Sequence, residues 1–252
     1  VRLVPPLARL YLLGSIRKQA HLATLFMGAA LFLLPAYINT FSLGATVLEN
    51  VSKDFGLTLI GYFIVAMGIG LGASTVPADL EARSVYPVLA RPISRHLFLI
   101  AHLMAVAIIL FASVLFLGSC LAVALAFMLK SADPKLSVGL YGSFLQAVVA
   151  AALSLGLSVR WKPAAAATVT AVLFVIGSFS SDLFALMLGG VPLWGQIVKA
   201  ALPDFSAFAL KGAVVHQMEI SMSYLLAISI YAAGWLGLAL LAAGQAFEEV
   251  DL

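Results

Sequence analysis

Residue types able to do chemistry are few in this chain, and they gather in three places. Asp79, Glu81 and Arg83 open a charged stretch that runs from Pro77 to Arg95; four histidines, His21, His96, His102 and His216, are scattered; and Gly177-Ser178-Phe179-Ser180-Ser181-Asp182 sets hydroxyls beside a carboxylate. Haem or zinc needs paired ligands that face one another. The histidine spacings supply no such pair, and polar residues at element ends is the better reading of all four. An activated serine needs a base within hydrogen-bond reach, and no histidine shares the Ser178 run or clearly faces it, so packing serines are expected there. The chain has no Gly-x-x-x-x-Gly-Lys-Ser/Thr loop to cradle ATP phosphates. Any ATP would be hydrolysed by a partner, and no catalytic residue, cofactor ligand or metal ligand is expected in this chain, which reads as no enzyme.

The elements that must position these residues are set by composition. Of 252 residues, 63% are hydrophobic and only 10% charged, against about 25% charged in soluble domains. The chain reads as a polytopic, all-α membrane protein. Its net charge of +3 and pI of about 9.1 do not point to nucleic acid, because the basic residues sit in short loops rather than on one stripe. The single cysteine, Cys120, lies in an apolar run, where no intramolecular disulfide or thiol cluster can form.

A membrane helix needs about 20 apolar residues, and six stretches qualify: 22–38, 56–76, 97–129, 138–159, 163–188 and 221–246. An even number of crossings puts both termini on one side. If that side is the cytoplasm, the inside carries Arg2, Arg9, Arg17, Lys18, Arg83, Arg91, Arg95, Arg160 and Lys162, and the outside only Lys53, Lys130, Lys135, Lys199 and Lys211, as the positive-inside rule requires. The third run is longer than a hydrocarbon core of about 30 Å. It must tilt, bend near Gly118-Ser119 or project into water.

Residues 1–21 place Arg2, Arg9 and Arg17 at spacings that fall near one helical face, among Leu3, Leu7, Leu10 and Leu13. An interfacial elbow helix is expected. A signal peptide is the competing reading, but the basic region is too long and the apolar run to Ile38 continues past signal length. In the second span, Gly68 and Gly72 form the Gly-x-x-x-Gly spacing that lets helices approach closely. Between the fifth and sixth spans, residues 189–220 are apolar yet broken by Gly189, Gly190, Pro192 and Pro203, which suits short re-entrant helices in the outer leaflet. Ionisable groups at membrane depth would mark an ion path, and the spans are nearly free of them. Gln146 in the fourth span and Asp182 toward the outer end of the fifth are the candidates for a substrate route.

Within the charged stretch, Val85, Tyr86, Val88 and Leu89 give an apolar face at helical spacing, closed by Arg91, Pro92 and Arg95. That suits a short surface helix able to dock into a groove on a soluble partner. Charge alone favours an ordinary cytoplasmic loop.

The wording of residues 79–95, Asp-Leu-Glu-Ala-Arg-Ser-Val-Tyr-Pro-Val-Leu-Ala-Arg-Pro-Ile-Ser-Arg, resembles the loop between the second and third membrane helices of ABC-2 type permeases. Ala201-Leu202-Pro203-Asp204-Phe205-Ser206-Ala207-Phe208 and the ending Phe247-Glu248-Glu249-Val250-Asp251-Leu252 are similar to the copper-enzyme maturation and gliding-motility branch of that family. Two positions depart from it: Ala101-His102 stands where relatives carry Gly-Lys, and Arg83 where Gly is frequent.

The resemblance implies one transmembrane domain over 1–252: interfacial helix 1–21, spans one and two over 22–76, a cytoplasmic coupling loop at 77–96, spans three to five over 97–188, an outer segment at 189–220, and the sixth span with its tail at 221–252. It implies a bacterial inner-membrane permease subunit, paired as a homodimer or related heterodimer and served by two copies of an ABC ATPase subunit that binds ATP and Mg. Membrane lipid is the surrounding partner. Asp79, Glu81, Arg83, Arg91 and Arg95 would be polar ATPase-coupling contacts, and Tyr86, Val88 and Leu89 the docked face. The implied function is ATP-driven movement of a substrate, in the export direction. The alternative is a scaffold that passes ATPase motion to a periplasmic partner without transport.

Overall fold

A computed structural model describes residues 20–40, 44–81, 95–130, 133–179 and 202–248. Among these, every regular element is helical: α1 (Ala20–Asn39), α2 (Ala45–Glu81), α3 (Arg95–Leu129), α4 (Leu136–Ser158), α5 (Pro163–Ser178), a 3-10 turn (Phe205–Phe208), α6 (Lys211–Val215) and α7 (Met222–Glu248). Four helices are long and apolar enough to cross a membrane, over Thr46–Ala78, His96–Phe127, Leu136–Ser158 and Met222–Ala246, while the apolar parts of α1 and α5, Leu22–Ile38 and Pro163–Ser178, are shorter. The chain is thus a helical, multi-pass membrane protein.

The second span is much longer than its apolar run suggests. The sequence places it at 56–76, yet α2 holds 37 residues and includes both Lys53 and Pro77. Its first turns stay helical because the charges there are paired, as described below. Pro77 is tolerated close to the C-terminal end, where few backbone bonds remain to be disrupted. α3 is unbroken over 35 residues, with no interruption at Gly118-Ser119. At about 1.5 Å per residue it is about 52 Å long, well beyond a hydrocarbon core of about 30 Å.

Packing is organised by the pair α2 and α4. A Cβ placed on Gly68 would come 2.8 Å from the Ala147 carbonyl oxygen, and one on Gly72 would overlap the Ala151 carbonyl. The two backbones therefore touch with no side chain between them. Ser154, fully buried, donates from its hydroxyl to the Ile69 carbonyl oxygen across the same seam at 2.8 Å. Around it, Ile60, Ile64, Leu110, Leu117, Ala150 and Phe205 form the main core. A smaller cluster, including Val76, Phe98, Leu99, Leu155 and Ala243, closes the end where α2 stops and α3 begins. There, a Cβ on Gly244 of α7 would overlap the His96 ring. His102, expected among polar residues at element ends, is fully buried, its ring 4.4 Å from that of Phe98 and its Nδ1 3.0 Å from the Phe98 carbonyl oxygen.

Candidate functional site

The chemically expressive part of the described structure lies at the opposite end, where α2 begins, α3 passes into α4, and the segment 202–220 returns to the bundle. Lys53 anchors it. Its side chain is 1% exposed and its ammonium lies 2.5 Å from Glu49 Oε1 and 2.7 Å from Asp133 Oδ2. An isolated buried ammonium would be very costly; two carboxylates make the position tenable. Asp133 also accepts from Gln217 Nε2 at 2.5 Å and from the Lys135 backbone N–H at 3.0 Å. Burial alone would push the Asp133 carboxyl up, but these hydrogen bonds and the nearby ammonium outweigh it and hold its pKa below the usual carboxylate range.

Gln217 reaches Asp133 because of how α6 ends. The residue has a left-handed backbone, φ 55°. The Met218 N–H donates to the Ala213 carbonyl at 2.8 Å and the Gln217 N–H to that of Val214 at 3.3 Å, the paired bonds of a Schellman ending. Glycine is usual at such a position. Here a side chain is required, and the Gln217 carbonyl in addition accepts from Lys135 Nζ at 2.8 Å.

The segment ahead of α6 is driven into the bundle by two aromatic rings. Phe205 and Phe208 are 0% and 1% exposed. Asp204 starts the 3-10 turn as its N-cap, accepting from the Ser206 N–H at 3.0 Å and the Ser206 hydroxyl at 2.6 Å. Two tyrosines of α7 hold the turn: the Asp204 N–H donates to Tyr231 Oη at 2.8 Å, and Tyr224 Oη donates to the Ala207 carbonyl at 2.9 Å. Two glycines make room for its backbone, since a Cβ on Gly142 would overlap the Phe208 carbonyl and one on Gly177 that of Pro203. The Leu202–Phe208 wording seen in the sequence is thus a wedge held by α4, α5 and α7.

Between this wedge, α2, α4 and the end of α5 lies a cavity of about 240 Å³. Tyr62, Phe179, Phe205 and Phe208 give it aromatic walls; Thr58, Ser143, Gln146, Ser178 and Lys211 bring polar groups. Lys211 Nζ donates to Thr58 Oγ1 at 2.8 Å and lies 3.7 Å from Asp54 Oδ1, so its charge is balanced. Gln146 Nε2 makes one long contact, 3.4 Å, with the Phe205 carbonyl oxygen. The Ser178 hydroxyl is buried with no partner among the described residues. A shallower depression of about 470 Å³ over Ala122, Leu125, Ala126 and Leu136 is apolar apart from Asp133, whose carboxylate is already engaged.

Among the residues singled out in the sequence, Gln146 lines this cavity and Gly68 and Gly72 lie in the α2–α4 seam. Asp79 and Glu81 fall in the last turn of α2 and Arg95 is the first residue of α3. Arg83, Tyr86, Val88, Leu89, Arg91 and Asp182 lie outside the described residues, as do residues 1–19 of the elbow expected over 1–21, most of the coupling loop and residues 180–201. Lys53, Asp133, Gln217 and Lys211 were not singled out as a group; the Glu49/Lys53 spacing of four is the one local signal that pointed to them. No group of three or more histidine, cysteine or acidic residues among the described residues could hold a metal ion. In comparisons with known proteins, no family model matches the chain, and no curated protein matches it significantly.

Proposed function

We propose that this chain is the permease subunit of an ATP-binding cassette transporter of the ABC-2 type, working as a dimer with two copies of a separate ATPase in a bacterial inner membrane. The observation that carries the reading is the setting of the 79–95 stretch. It joins the ends of α2 and α3, helices of 37 and 35 residues that are continuous from this junction to the ion-paired end. Force applied at the junction by a docked ATPase would reach the whole length of both helices, and rigid-body tilting is the mechanical step this favours. The α2–α4 seam would carry α4, and with it Gln146, in the same movement.

In this reading the stretches 22–38 and 163–188 complete six crossings, both termini are cytoplasmic, and the wedge at 202–215 belongs to the outer re-entrant segment. Gln146, with Asp182, would border the route taken by the substrate. Glu81 and Arg83 would be the polar contacts to the ATPase, and Tyr86, Val88 and Leu89 the docked face.

The test is gentle purification of the chain with its native companions, mass spectrometry of what accompanies it, and an ATP hydrolysis assay, repeated for Glu81→Lys combined with Arg83→Glu. The expected result is copurification of a subunit bearing an ATP-binding loop, with weaker association or slower hydrolysis in the double variant. Purification free of any ATPase, with no effect of the substitutions, overturns the proposal.

A further inference from the structure

Among the described residues, the cavity beneath the wedge combines unsatisfied hydrogen-bonding groups, aromatic walls and no net charge, and these properties narrow what can occupy it. Its one cation among the described residues, Lys211, is matched by Asp54 and Thr58, so against these walls an anionic or cationic head would enter with its charge uncompensated. Ser178 Oγ is buried and unpartnered, and buried hydroxyls in folded proteins are nearly always hydrogen-bonded. The Gln146 amide has only its long contact to Phe205, leaving its carbonyl oxygen as an acceptor. Ser143 directs its proton to the Gly139 carbonyl at 3.1 Å, which leaves its oxygen able to accept. The site therefore offers donors and acceptors together, as a hydroxyl-bearing group requires. At about 240 Å³ it is smaller than the roughly 300–1,000 Å³ of pockets for drug-sized ligands, so one small head with the first carbons of an apolar stem fills it. Tyr62, Phe205 and Phe208 line it on the apolar side.

We propose that the cavity formed by Gly61, Ser143, Gln146, Ser178 and the Phe205–Lys211 wedge binds an uncharged, hydroxyl-bearing head group of the glycerol kind. This rests on the cavity alone and survives failure of the ATPase reading. The head has two possible sources, a membrane lipid or a free polyol, and the chemistry they share is the vicinal hydroxyl pair.

The test uses the full chain in phosphatidylcholine nanodiscs, with ligand-observed nuclear magnetic resonance of three probes: monooctanoylglycerol, free glycerol and octyl phosphocholine. Gly61 faces open space apart from Ser143 Oγ, 3.4 Å from where its Cβ would stand, so Gly61→Leu fills the cavity. Gln146→Leu and Ser178→Ala remove its polar groups without adding bulk, and they carry the test should Gly61→Leu fail to fold, as judged by helical circular dichroism. The expected result is saturable monooctanoylglycerol binding, lost in Gly61→Leu and at least tenfold weaker in Gln146→Leu, with octyl phosphocholine bound no better than background. Glycerol binding of equal strength assigns a soluble source; binding of the acylated form alone assigns the membrane. No binding of either hydroxylated probe, equal binding of octyl phosphocholine, or binding unchanged in all folded variants overturns the proposal.

Discussion

Lys53 Nζ and Asp133 Oδ2 meet at 2.7 Å across 80 positions of sequence. Their pairing ties the first turns of α2 to the α3–α4 connection, and through Gln217 to the end of α6. Removing one partner of a buried pair strands the other charge, at about 3–5 kcal/mol. Asp133→Asn should lower stability by about 3 kcal/mol, the low end because Glu49 remains, read from chemical denaturation in detergent. Lys53→Met combined with Asp133→Leu and Glu49→Gln should be less destabilised than Asp133→Asn alone, since no charge of the trio is left without its counter-charge.

The same carboxylate sets an acid limit. Its folded-state pKa lies below the unfolded value, about 3.9. The unfolded chain therefore takes up the proton first, and the stabilisation is fully present above about pH 4 and lost as pH falls through the folded pKa. Denaturation midpoints followed from pH 7 to pH 3 should drop more steeply at the acid end in the wild type than in Asp133→Asn.

Two glycines two positions apart in α2 should respond oppositely to alanine. Gly70 has nothing within 4 Å of a built Cβ, and Gly70→Ala should stabilise by about 0.5–1 kcal/mol through helix entropy. At Gly72 a methyl group meets the Ala151 carbonyl, and Gly72→Ala should destabilise by about 1–3 kcal/mol as overpacking does. Thermal melting of both variants in one detergent decides the matter.

Phe205 is the ring on which the wedge depends, fully buried and 5.1 Å from Phe174 by centroid. Phe205→Ala should destabilise by about 3–5 kcal/mol. It should also raise amide hydrogen exchange across 202–218 more than in α3, because Phe208 and the Tyr224 and Tyr231 bonds are then left to hold the turn.

These residues show which features a sequence can reveal. Gly68 and Gly72 are legible because close helix approach needs small residues at a fixed local spacing, and both face one partner helix. The four long apolar helices are legible because the bilayer fixes their length and composition. The start of α2 is not: Glu49, Ser52, Lys53 and Asp54 read as a polar loop, and the carboxylate that lets Lys53 enter a helix lies in another connection. The wedge is legible as wording and as a break between spans, whereas its burial depends on Gly142, Gly177 and two tyrosines distant in sequence. The cavity is legible only in pieces: Gln146, Ser178 and the Phe205–Phe208 run stand out one by one, but its walls come from four separate stretches and nothing local shows that they meet.

The unbroken course of α3 gives the molecule leverage. A rod of 35 residues with no hinge along it cannot absorb a rotation locally; a tilt of about 5° at the Arg95 end sweeps the Leu129 end through about 4–5 Å at about 1.5 Å of rise per residue. Asp133 follows the Leu129 end by four positions of sequence, and its hydrogen bonds tolerate only a few tenths of an ångström. In the proposed permease, a small angular input at the Arg95 end would thus be magnified before it reached the ion-paired clasp at the other.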